Sequence, residues 1–185
     1  MASPLPRPPG PLGRPIVLVG LMGAGKSTVG SRLARRLGLP FVDADEEIER
    51  AADRSIAEIF DSFGEPAFRD GERRVIARLV EGGPRVIATG GGAFIDEATR
   101  ALILERCVAI WLDAGIDTLA GRVARRGHRP LLRDKAPREA IAALAERRNA
   151  VYAEAHLRVV TDDAGHEEVV GQIVAALDAW KRSAG

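Results

Sequence analysis

Short β-branched runs alternate along the chain with longer stretches of helical spacing. IVLV at 16–19 is followed by Val29, Leu33 and Leu37 at i, i+4 and i+8, ending at Gly38, which predicts a strand, a loop and a helix. The alternation continues with FVD near 41, helices to about Val80, VIAT at 86–89, a helix near 96–105, CVAIWL at 107–112 and a helix from about Ile116. A helix from about Pro137 carries Ile141, Leu144, Arg148, Val151 and Tyr152 on one face, and LRVVT at 157–161 precedes a last helix striped by Val169, Ile173, Leu177 and Trp180. Strands separated by helices, with no hairpin turns between them, predict an α/β sandwich around a central parallel five-stranded sheet. Ligands are then expected at the carboxyl ends of the strands.

The first such end carries the most specific chemistry in the chain. Gly20 to Ser27 reads G-x-x-x-x-G-K-S, the P-loop pattern, with a predicted strand before it and a predicted helix after it. Glycines let successive amides turn inward around phosphate oxygens, and the helix adds its positive end. Lys26 can reach the terminal phosphates and Ser27 can ligate magnesium. A nucleoside triphosphate is therefore expected there. A guanine-reading N-K-x-D segment is absent, which weakens a GTPase reading.

The remaining candidates concern a second substrate. FVDADEEIE places Asp43 and Asp45 where the second strand ends, either as a pair serving phosphates and acceptor or as carboxylates favoured at a helix start. FRDGE sets Arg69 three residues before Glu72, and Glu72 falls on the apolar stripe of Phe68, Val75, Ile76 and Leu79. That pair is either an exposed ion pair or a partly buried carboxylate orienting an arginine. Arg148 puts a guanidinium on the inward face of its helix or snorkels at the edge. Gly90, Gly91 and Gly92 end the third strand in a close approach of backbone to some partner, or in a loose turn. Asp96 is expected to cap the next helix. Between Arg125 and Pro137, RRGHRPLLRDKAP holds five cations and two prolines, which suits a mobile flap over a triphosphate with Arg129 facing the phosphates, or a solvated basic loop.

Composition narrows this only a little. The 185 residues, 46% hydrophobic, fit one domain, and a net charge of +1 argues against a nucleic-acid groove held by basic excess. One cysteine, Cys107, excludes an intrachain disulfide and reads as a small buried hydrophobe, and three scattered histidines offer no zinc spacing. The proline-rich opening, residues 1–14, reads as a flexible tail before a single domain at 15–182, and nothing approaches the roughly 20 apolar residues of a membrane helix. The cytoplasm is the default compartment.

Taken together, GLMGAGKSTVG, the D-x-D of FVDADEEIE, the FRDGE helix, ATGGG, RPLL and ERRNAVY resemble the shikimate kinase family, over about Ile16 to Leu177. The resemblance implies a P-loop fold similar to nucleoside monophosphate kinases, with an acceptor-binding region at about 43–72 and a lid at about 123–136. It implies transfer of the ATP γ-phosphoryl to the 3-hydroxyl of shikimate by a monomer using Mg2+. Gly23, Ala24, Gly25, Lys26, Ser27 and Thr28 would hold phosphates, with Ser27 on the metal and Asp43 in its water shell. Asp45 would bind the acceptor hydroxyls and act as base or orienter. Arg69, Arg148 and the glycine turn at Gly90, Gly91 and Gly92 would hold the carboxylate, Arg129 would be the lid arginine, and Arg126 or Arg125 would stack on adenine. The alternatives are a related small-molecule kinase such as gluconate kinase, expected to lack the FRxxE, GGG and RNxxY combination, and a nucleotide-binding regulator that has lost catalysis.

Overall fold

The computed structural model describes residues 13–126, 136–162 and 164–183. Five strands form one parallel sheet: β1 (Ile16–Val19), β2 (Phe41–Asp43), β3 (Val86–Ala88), β4 (Val108–Asp113) and β5 (Leu157–Val160), in the spatial order β2-β3-β1-β4-β5. β1 and β3 are buried along their whole length and β4 in all but its last residue, as expected of strands covered on both faces. The edge strands β2 and β5 are only partly buried.

Among the described residues seven α-helices accompany the sheet: α1 (Lys26–Leu37), α2 (Ala44–Ala52), α3 (Ile56–Glu81), α4 (Glu97–Arg106), α5 (Ile116–Arg126), α6 (Pro137–Tyr152) and α7 (His166–Ser183). α1 lies against α7, α3 against both α2 and α4, and α5 against α6. Close packing of α1 on the sheet needs Gly30, because a Cβ there would sit 2.7 Å from Cε2 of Phe41 and 3.2 Å from Cδ1 of Leu18. The helical starts follow the capping signals: Ser55 and Glu58 form a capping box on α3, and the Asp96 side chain accepts from the Thr99 amide at 2.9 Å.

α3 is two helices joined at Gly64, whose backbone (φ 79, ψ 174) leaves helical geometry two residues before Pro66. A side chain at that φ is strained, so glycine makes the joint. The second half of α3 buries Phe68, Glu72, Val75, Ile76 and Leu79, the stripe expected from spacing. Cys107 is buried, and desolvation pushes its thiol up to about 12, as an inert small hydrophobe requires.

The strand ends that matter for function stand in one row. Leu18 pairs with Ala88, and Ala88 pairs with Asp43 across β2. Thr89, just past β3, donates both its amide (3.3 Å) and its hydroxyl (2.9 Å) to the Leu18 carbonyl. The loops after β1, β2 and β3 therefore leave the sheet side by side.

Candidate active site

The loop after β1 is built for anions. Gly20, Gly23 and Gly25 have φ of 141°, 81° and 89°, and a Cβ on Gly20 would also lie 2.6 Å from the Leu112 carbonyl. Gly25 caps α1 without a side chain and the first turn holds no acidic residue, so neither a capping oxygen nor a carboxylate competes for the helix amides. Lys26 is buried, and its ammonium donates to the carbonyls of Gly20 (2.8 Å) and Leu21 (2.9 Å), which ties it to the loop that would receive phosphates.

Beside this loop Ser27 donates its hydroxyl to Oδ2 of Asp43 at 2.5 Å, while Oδ1 of Asp43 accepts the Asp45 amide at 3.0 Å as the cap of α2. One oxygen of this carboxylate therefore caps the helix, as a carboxylate at a helix start does, while the other meets Ser27. A hydroxyl next to a carboxylate is the hard oxygen donor set that suits Mg2+, which keeps several waters and substrate phosphates as its other ligands. Among the described residues no cluster of three or more His, Cys, Asp or Glu side chains could hold a metal ion.

The glycine turn after β3 is the meeting point of the second set. A Cβ on Gly90 would lie 2.8 Å from Oδ1 of Asp45 and 3.4 Å from Oε1 of Glu72, and one on Gly92 would overlap the Arg69 guanidinium. Gly91 accepts at its carbonyl from Nη1 of Arg148 (3.2 Å) and from the Tyr152 hydroxyl. A Cβ on Gly91 would also be 3.7 Å from the Gly20 carbonyl and the Met22 amide nitrogen, so the turn adjoins the phosphate loop. The glycines are there because backbone, two arginines and two carboxylates crowd together.

Arg69 is held by Glu72 through a 2.7 Å bond from Nη1 to Oε2, with its guanidinium carbon 5.1 Å from the Phe68 ring centroid. Glu72 is only 2% exposed. Burial raises its pKa, the Arg69 bond pulling the other way and nearby Asp45 adding to the rise. Desolvation also works against the Arg69 charge, but its bond and attraction to Glu72 outweigh it and the pKa ends raised. The result is a rigid guanidinium, still 25% exposed, bordering a turn that carries a second guanidinium from Arg148.

Comparison with known proteins decides the family. The shikimate kinase family model matches residues 22–178. Curated shikimate kinases are similar along most of the chain: that of Novosphingobium aromaticivorans is 54% identical over 173 residues, covering 91% of this chain and 90% of the relative. That of Caulobacter vibrioides is 59% identical over 162 residues, covering 88% and 81%. The chain belongs to the shikimate kinase family. A solved shikimate kinase from Acinetobacter baumannii in complex with shikimate superimposes with a TM-score of 0.86 at 35% identity, covering 90% of this chain and 93% of that one. Like other shikimate kinases the chain is an ATP-dependent small-molecule kinase.

Of the residues expected in this shikimate kinase site, Arg129, with the rest of the flap at 127–135, lies outside the described residues, as does the side chain of Arg126. The structure adds an arginine that spacing alone did not single out. Arg122 on α5 donates to the Gly23 carbonyl (3.3 Å) and to the Thr161 carbonyl (3.0 Å), spanning the phosphate loop and the end of β5. Asp162 accepts the Gly115 amide, which ties the loop after β5 to the loop after β4. The signal for Arg122 was only its place in an arginine-dense stretch.

Proposed function

We propose that the chain transfers the γ-phosphoryl of ATP to the 3-hydroxyl of shikimate, with the phosphates on the amides of Gly23, Ala24, Gly25, Lys26, Ser27 and Thr28. The Lys26 ammonium neutralises charge that grows on the transferred group, and Arg129 adds to it from the lid. Ser27 and the Asp43 carboxylate would hold Mg2+, Asp43 through water. When bound, the ion neutralises the phosphate oxygens and keeps the triphosphate in line. Asp45 accepts the proton of the attacking hydroxyl as its oxygen bonds to phosphorus and the bond to ADP breaks. Arg69, Arg148 and the turn of Gly90, Gly91 and Gly92 bind the acceptor carboxylate by charge-assisted hydrogen bonds. Arg122 borders the nucleotide between Gly23 and Thr161, on the same helix as Arg126.

The observation that carries this reading is the convergence of Asp45, the Arg69–Glu72 pair and Arg148 on one glycine turn that touches the phosphate loop. Two guanidiniums beside a carboxylate suit an acceptor that is both an acid and an alcohol. We further propose a cytoplasmic monomer with one kinase domain at 15–182. No described helix is long and apolar enough to cross a membrane.

The test is ADP release from the purified protein with MgATP and shikimate, gluconate or no acceptor, in the wild type and in Arg148→Ala. Turnover is expected with shikimate alone, and Arg148→Ala should raise the shikimate KM while leaving that of ATP in place. Turnover confined to gluconate would move the acceptor assignment, and silence with both acceptors despite ATP binding would favour a regulator.

A further inference from the structure

Tyr152 is the single tyrosine of the chain and the last residue of α6, one helical turn after Arg148. Its ring is fully buried and clamped on two sides. Phe94 lies 6.5 Å away, centroid to centroid, nearly parallel at 17°, and Trp111 lies 6.1 Å away at 29°. Phenylalanine would fill that space equally well and would carry no hydroxyl to desolvate. The hydroxyl is used: it donates to the Gly91 carbonyl, the same oxygen that accepts from Nη1 of Arg148 at 3.2 Å. Burial raises the pKa of the phenol, with Arg148 opposing, so the group stays a protonated donor.

We infer that Tyr152 is a positioning residue for the acceptor acid: its hydroxyl meets Arg148 on the Gly91 carbonyl, locking a guanidinium and a backbone turn into one preformed carboxylate clamp. The inference rests on the reading of Arg148 and Gly91 as carboxylate-binding groups. Geometry supports a lock rather than mere core filling. The stacked ring fixes where the oxygen stands, and its hydrogen bond ends on the Gly91 carbonyl that Arg148 also holds. Phe94 belongs to the 3₁₀ turn at Ala93–Ile95, directly after Gly92, so the ring also braces the chain leaving the turn. On its other side Trp111 reaches the phosphate loop, its Cδ1 standing 3.4 Å from where a Gly20 Cβ would be. Loss of the hydroxyl alone leaves those ring contacts intact and frees the clamp on the acceptor side only.

Steady-state kinetics of the wild type, Tyr152→Phe, Arg148→Ala and the double variant, varying shikimate and ATP separately, test this. Removing one buried hydrogen bond of ordinary strength should raise the shikimate KM about 5-fold in Tyr152→Phe, with the ATP KM within about 2-fold of wild type. In the Arg148→Ala background the same change should cost less, because the two residues act as a unit. An unchanged shikimate KM in Tyr152→Phe would overturn the inference, as would an equal rise for both substrates, the mark of a loosened core. An unchanged shikimate KM in Arg148→Ala would overturn the carboxylate reading and this inference with it. Because Tyr152 is the chain's one tyrosine, fluorotyrosine incorporation gives a readout needing no variant. Its 19F resonance should shift saturably with shikimate, and a resonance blind to shikimate would also overturn the proposal.

Discussion

Gly90→Ala isolates the contribution of Asp45 placement from that of fold stability. Gly90 is outside the positive-φ region, so alanine fits its backbone without strain. The new Cβ would stand 2.8 Å from Oδ1 of Asp45 and 3.4 Å from Oε1 of Glu72. Carbon and oxygen settle at about 3.3 Å or beyond, so the Asp45 carboxylate must retreat by roughly 0.5 Å. A misplacement of about 1 Å at a reacting group costs about 100-fold in rate, so a shift of half that predicts a kcat loss of about 10-fold. The carboxylate is the far end of a side chain, and an off-rotamer χ costs about 1 kcal/mol, which lowers Tm by only about 2–4 °C in a chain of this size. Coupled ADP assays at saturating shikimate and ATP, with thermal melts on the same samples, read both quantities. A folded Gly90→Ala enzyme with wild-type kcat would show that turnover does not depend on where Asp45 stands. A large fall in Tm would show that the turn bears on stability instead.

Four further outcomes follow from other positions. Gly30→Ala forces a Cβ into Phe41 and Leu18, and overpacking of about 1–3 kcal/mol outweighs the ~1 kcal/mol gain in helix propensity. Its Tm should fall, whereas Gly171→Ala, on exposed α7 with open space at its Cβ, should raise Tm. Arg122→Ala should raise the ATP KM and leave the shikimate KM unchanged, because its partners are Gly23 and Thr161 rather than the glycine turn. His156 accepts the Ala109 amide at Nδ1 (3.0 Å), and burial, with Arg14 nearby, lowers its pKa from the usual 6.5. Its depressed value means that the stability it contributes is present above about pH 6.5 and is lost as pH falls through the folded pKa. Melts between pH 7.5 and 5.5 should show that loss in the wild type, and a flatter slope in His156→Gln, whose amide oxygen can accept without titrating.

Much of this was legible from spacing because burial and chemistry here follow local pattern. The stripe of α7 buries Val169, Ile173 and Leu177 as spaced, and the strands lie within a residue of their apolar runs. Glu72 could be suspected of burial because it interrupts an apolar stripe. The joint at Gly64 was hidden within a helical pattern, since spacing on either side remains helical and only the backbone angle breaks. Arg122 was illegible for a different reason: its partners are carbonyls 99 and 39 residues away in sequence, and a carbonyl leaves no mark in side-chain pattern. The same holds for Tyr152, whose aromatic ring reads as core while its hydroxyl meets Gly91, 61 residues away.

The double hydrogen bond from Thr89 to the Leu18 carbonyl has a consequence for specificity. In the proposed reading the loop that faces the nucleotide springs from β1 and the turn that faces the acceptor springs from β3, and these strands are neighbours in register. The interval between donor and acceptor is therefore gauged by main-chain pairing, which side-chain substitution does not alter. Evolution or engineering toward a differently shaped alcohol can recut the walls contributed by α2, α3 and α6. On the proposed assignment the step from phosphate to hydroxyl stays the same length, so acceptors would be sorted by how far their reactive oxygen stands from their acid group.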